Sequence, residues 1–155
     1  MFWIRTMAVA LVAAVAVSAE DKKPAEFDAK ALVGSWSFTA GTRAGEKVDA
    51  DKLKDMAEYT ADKITMKTAD ATFVFKYTVD AKASPVAVEL EILEPDGFKG
   101  AKAKGIVELD GDTLKLAYNP TPDGDRPKDY TSTKDNGNHV YMMKKAKKKD
   151  KKDDK

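Results

Sequence analysis

Cysteine is absent from the 155 residues, so no disulfide contributes and any fold must rest on packing, even in an oxidising compartment. Histidine occurs once, at His139. A general base needs an oriented partner and a metal site needs several convergent ligands, and one imidazole beside a hairpin turn supplies neither. His139 therefore reads as a solvent-facing residue at a strand end. Ser35 and Ser132 are partners for it by type, but no nucleophile-elbow pattern surrounds either one. With the groups of acid–base and nucleophilic catalysis missing or unpaired, the expectation is a protein that is not an enzyme and takes no cofactor or metal. Carboxylates do sit close together at Asp110 and Asp112 and at Asp123 and Asp125, as a hard cation requires. Neither pair has the full loop spacing with a closing Glu, and turn-forming Asp explains both.

An apolar run long enough to cross a bilayer is lacking too. The unbroken run over residues 7–17 falls short of the roughly 20 residues a hydrocarbon core demands. It follows Arg5 and precedes Val17-Ser18-Ala19, whose small side chains stand where a signal peptidase reads. Residues 1–19 are thus expected to be a signal peptide, leaving an exported chain, periplasmic or secreted, with no transmembrane segment after cleavage. A lipid anchor on cysteine is excluded.

Charge of one overall sign is lacking as well: 27 Lys plus Arg stand against 26 Asp plus Glu. The balance hides an asymmetry. Residues 144–155 hold eight Lys and three Asp, whereas the body is mildly acidic. That low-complexity stretch has almost nothing to bury and reads as a disordered Lys-rich tail. Residues 20–30 read as a linker, which leaves residues 31–143 as one domain.

What the domain does have is period-2 alternation. Phe73, Phe75, Tyr77 and Val79 share one face, with Lys76 and Thr78 on the other. Val86, Val88, Leu90 and Ile92 repeat the pattern, Ile64 and Met66 shorten it, and Trp36 and Phe38 open it. Only residues 49–59 carry a helical spacing, with Leu53, Met56 and Ala57 on one side, which predicts one short accessory helix. The Asp110-Gly111 pair predicts a two-residue hairpin turn that places Val107 opposite Leu114 and Gly105 opposite Leu116. Residues 135–138 predict a second hairpin joining the last two strands, with Thr133 opposite Val140 and Thr131 opposite Met142. Seven or eight short-linked strands without crossover helices make an all-β, antiparallel sheet that must close into a barrel or split into a sandwich, because open edges invite aggregation.

Leu32-Val33-Gly34-Ser35-Trp36, the block from Gly105 through Leu109-Asp110-Gly111-Asp112-Thr113-Leu114 to Leu116, and Arg126-Pro127-Lys128-Asp129-Tyr130-Thr131-Ser132 occur here in order. In that order and spacing the chain, over residues 31–145, resembles a paralogous, uncharacterised family of planctomycete domains thought to be lipocalin-like. The resemblance implies a lipocalin-like barrel of about eight strands. Many members carry a cysteine where this chain has Ala117 and a Phe where it has Tyr130, so no thiol-based role transfers. In lipocalin-like barrels a Gly-x-Trp on the first strand closes one end, and an Arg from near the last strands lies across the indole. Trp36 and Arg126 are the corresponding candidates for that structural role.

The inward face, Phe73, Phe75, Tyr77, Val86, Val88, Leu90, Ile92, Leu114, Leu116 and Tyr118, either fills the barrel or leaves room for one small apolar ligand. If it leaves room, Phe73, Phe75, Tyr77, Leu90 and Leu116 are the expected lining. The first functional reading is an exported binding module for a small apolar molecule. The alternative is a non-catalytic envelope protein acting through its surface, with the Lys tail on an anionic envelope surface. Nucleic acid is not an expected partner, because the tail has no interleaved aromatics to stack on bases.

Overall fold

The computed structural model describes residues 26–53, 56–67 and 71–147; the expected signal peptide and most of the Lys-rich tail lie outside them. Strands β1 (Gly34–Arg43), β2 (Glu46–Lys47), β3 (Met56–Tyr59), β4 (Lys63–Lys67), β5 (Thr72–Asp80), β6 (Ala87–Glu94), β7 (Lys102–Asp110), β8 (Thr113–Asn119) and β9 (His139–Lys145) follow one another in sequence. From β3 to β9 each pairs antiparallel with the next, and β1 pairs with both β3 and β9. The sheet thereby closes into an eight-stranded barrel, with the two residues of β2 paired antiparallel beside the end of β1. Closure removes the open edges that a sheet of this length otherwise exposes.

The alternation read from the sequence is the inside–outside alternation of the barrel. Trp36, Ile64, Met66, Phe75, Tyr77, Val88, Leu90, Leu114 and Leu116 belong to one buried core, with Phe38, Phe73, Val79, Val86, Ile92 and Tyr118 packed against it.

Four local expectations are corrected. The helical spacing over residues 49–59 yields only a 3-10 turn at Ala50–Leu53, and Met56–Tyr59 is strand. Ala57 and Tyr59 point into the core, and pairing with β1 and β4 outweighs so short a helix. The turn after β7 is centred one residue later than expected, on Gly111 and Asp112, so that Leu109 faces Leu114 and Val107 faces Leu116. Positive φ falls on Gly111 alone (φ 57), the first central position, which suits a type II′ turn. Moving the turn by one residue slides the pairing by two, so every side chain keeps its face.

The second expected hairpin does not form. Both edges of β9 are occupied, by β8 and by β1, and Thr131 and Thr133 have no strand to join. Their backbone is satisfied locally instead, by Asn136, which accepts from Thr133 N at 2.9 Å and donates to Thr131 O at 3.0 Å. The domain boundaries move outward as well. Phe27 packs against the core and Lys144 and Lys145, read as the start of the tail, complete β9.

Successive strands alternate in direction, so the connections after β1, β6 and β8 gather at one end of the barrel. The opposite end is plugged. A 3-10 turn at Ala29–Leu32, capped by the Asp28 carboxylate accepting from Lys30 N, carries Leu32 into the core at 1% exposure. Burying such a side chain contributes about 1.5–3 kcal/mol.

Candidate functional site

Inside the unplugged end lies a cavity of about 550 Å³. Phe38, Met66, Phe73, Phe75, Leu90, Ile92 and Tyr141 form its walls and floor, and Val48, Leu53, Phe98, Pro120 and Pro122 from the end connections surround its mouth. That volume falls within the roughly 300–1,000 Å³ of small-molecule sites. A second hollow of about 240 Å³ lies on the outer face among Lys76, Glu89, Glu91, Lys102, Lys104 and Asp123, smaller and lined by mixed charge.

Of the five side chains expected to line an interior site, Phe73, Phe75 and Leu90 do. Tyr77 and Leu116 do not. Each sits one inward position nearer the plugged end than its lining neighbour, Phe75 or Tyr118, a step of about 7 Å along a strand. There Tyr77 donates from its hydroxyl to Thr60 O at 2.7 Å, and Leu116 is 1% exposed in solid core. The filled-or-hollow alternative thus resolves along the barrel axis: the plugged half is filled and the open half is hollow.

Apart from Tyr118, the polar groups of the cavity come from residues that strand patterning does not pick out. A β-bulge in β1 makes Thr39 an extra residue, with Phe38 opposite Met143 and Ala40 opposite Met142. A bulge shifts the phase of everything after it. Uninterrupted alternation from Trp36 and Phe38 would turn Ala40 and Thr42 inward; with the bulge, Gly41 and Arg43 face inward, opposite Tyr141 and His139. Arg43 Nε donates to the Tyr141 hydroxyl, and its guanidinium carbon stands 5.7 Å from that ring's centroid.

Tyr118 stacks on Tyr141 with centroids 6.3 Å apart and meets His139 edge-on at 5.3 Å. The Tyr118 hydroxyl lies 3.4 Å from His139 Nδ1. Burial, and then the neighbouring Tyr141 hydroxyl, hold the Tyr118 phenol protonated well above its usual range. Burial, and then the Arg43 charge, lower the His139 pKa, so the imidazole is neutral at pH 7. His139 is half-buried and faces this cavity, which corrects its reading as a solvent-facing residue. Ser132 is engaged elsewhere, donating from Oγ to Asn138 O at 2.6 Å.

The Trp36–Arg126 pairing is also corrected. Trp36 is fully buried beside the plug and donates from Nε1 to Leu32 O at 2.7 Å. The cation on its ring is Lys145, with Nζ 5.4 Å from the centroid and 3.2 Å from Ala31 O. Arg126 lies on the outside of the barrel, 3.3 Å from Glu89. It belongs to the segment between β8 and β9, which lies over the outer face; Tyr130 of the same segment meets Lys115 at 5.7 Å. Outward-facing Ala87, Ile106 and Ala117 are buried on that side of the barrel. Among the described residues no three His, Cys, Asp or Glu side chains converge.

The class these features define is a closed antiparallel β-barrel, plugged at one end and hollow at the other. Neither protein-family models nor curated proteins match the chain.

Proposed function

We propose that the protein is an exported binding module that holds one small, mainly apolar molecule in the open half of its barrel. The observation that carries this reading is the cavity: about 550 Å³, walled by aromatic and aliphatic side chains, open at one end and backed by solid core. Burial of apolar ligand surface supplies the affinity at about 25 cal/mol per Å², before the costs of immobilising the ligand. The likeness of the Gly-x-Trp opening and the Leu-Asp-Gly-Asp-Thr-Leu block to the planctomycete lipocalin-like family supports the same assignment, and membership of that family is part of the proposal.

Native mass spectrometry of protein purified from its own host tests it. A co-bound mass is expected, and Ile92→Trp, which pushes an indole into the cavity from a half-buried wall position, is expected to lose it. A protein whose mass equals that of the polypeptide alone, and which binds no apolar fluorophore, would overturn the reading.

A further inference from the structure

The chain has two Trp, five Tyr and six Phe. Nearly half of them, Phe38, Phe73, Phe75, Phe98, Tyr118 and Tyr141, line the cavity in the open half of the barrel. The filled half holds Trp36, Tyr59 and Tyr77 edge-on to one another and packs them among aliphatic side chains such as Leu32, Ile64, Leu114 and Leu116. In the open half the rings border a hollow instead, and they stand in opposed groups. Phe73 and Phe75 on β5 lie within 18° of parallel, with centroids 6.2 Å apart. Tyr118 on β8 and Tyr141 on β9 lie within 20° of parallel at 6.3 Å, and Phe38 meets Tyr141 edge-on at 5.4 Å. Three strands separate β5 from β9 in either direction around the closed sheet, so the two ring pairs face one another across the cavity.

Rings in contact gain stability beyond area burial, through the quadrupole of the π-system. The rings of these walls make that contact on the protein side and lack it on the side of the hollow. Phe98 is the extreme case: it is 59% exposed at the mouth, and among the described residues it alone of the six has no ring partner. Aromatic side chains also have few rotatable bonds, so such walls keep their shape around an empty space and lose little entropy when a ligand enters. The polar groups nearby do not call for a charged head. Arg43 donates to the Tyr141 hydroxyl, Tyr118 and His139 face one another at 3.4 Å, and Lys102 stands on the outward face opposite Glu91.

We infer that the site takes a small, uncharged, planar aromatic molecule, held between the Phe73–Phe75 and Tyr118–Tyr141 walls with Phe98 against it at the mouth. This inference rests on the binding-module reading above and specifies its ligand class.

Isothermal titration calorimetry on the full chain compares 1-naphthalenemethanol with 1-heptanol, two neutral primary alcohols of comparable hydrophobicity, one with rings and one without. The naphthyl alcohol is expected to bind about tenfold more tightly. Phe73→Leu, which removes a ring and keeps an apolar side chain, is expected to cut that preference about fivefold. Phe98→Leu changes an exposed side chain and keeps the test sound if Phe73→Leu fails to fold; it is expected to cut the preference about threefold. Equal affinity for the two alcohols, or a preference unchanged in every variant that folds, would overturn the aromatic assignment and leave the apolar cavity standing. Binding of neither alcohol would overturn both.

Discussion

Two residues shape the polar wall of the cavity without declaring themselves in the sequence. A Cβ on Gly41 would stand 3.1 Å from the Tyr141 ring and 3.2 Å from Leu53, so glycine leaves the space that the ring occupies. His139 is held neutral there by burial and by Arg43, beside the Tyr118 hydroxyl. Its folded pKa lies below the value of about 6.5 that it has in the unfolded chain. The unfolded state therefore binds the extra proton first, and stability falls as pH drops below about 6.5 until the folded imidazole also protonates. A His139→Gln variant should lack that part of the decline when unfolding is followed by denaturant between pH 7 and pH 5. An unchanged pH profile would mean that the imidazole does not titrate with folding. In the sequence, a lone histidine beside Asn and Gly residues gave no sign of facing inward, because its neighbours across the barrel, Arg43 and Tyr118, are remote along the chain.

Among the elements, β1 decides where the site's charge goes. Thr39 occupies the bulge and has no partner residue in the ladder to β9, although its hydroxyl donates to Met142 O at 3.1 Å. Deleting Thr39 should leave Phe38 and Arg43 on their present faces, because the residues on either side already follow the register of a strand without it. The expected cost is about 1 kcal/mol for the lost hydrogen bond, read by chemical denaturation, with the co-bound mass retained. Loss of the co-bound mass would show that the bulge's twist, and not the phase alone, shapes this wall of the cavity.

The elements most readable in advance were those with unbroken alternation, β5 and β6, where Phe73 to Val79 and Val86 to Ile92 assign their own faces. The turn at Gly111 was legible to within one residue because glycine marks positive φ without fixing which central position it holds. The bulge was not legible, since Ser37-Phe38-Thr39-Ala40-Gly41 contains no signal that separates a straight strand from a kinked one. Nor was the irregular course of residues 120–138. Its Thr and Asn residues resemble a strand and hairpin, and only barrel closure denies them an edge.

At the scale of the whole molecule, the two ends of the barrel have separate tasks. Leu32, Trp36, Tyr59 and Lys145 seal one, while the connections carrying Val48, Leu53, Phe98 and Pro122 frame the other. Leu32→Ala should destabilise the fold by about 2–5 kcal/mol, as for large-to-small changes in solid core, and leave the affinity for an apolar fluorophore within twofold under conditions where the protein stays folded. A proportionate loss of binding would show that the plug supports the cavity as well as the fold. The filled half was expected from the apolar face alone, but its boundary was not. Phe75 and Tyr77 are equivalent by pattern, and only their height in the barrel separates a cavity wall from a packed core.

The path of the backbone at the sealed end has a practical outcome. Phe27 packs against the core just before the turn that carries Leu32, and β9 leaves the fold at Lys145, which reaches back to Ala31. Both ends of the described polypeptide therefore emerge on the side away from the opening. A fluorophore or chip linkage placed at residue 26 or 147 would hold the molecule by its base and leave the entrance facing the solution.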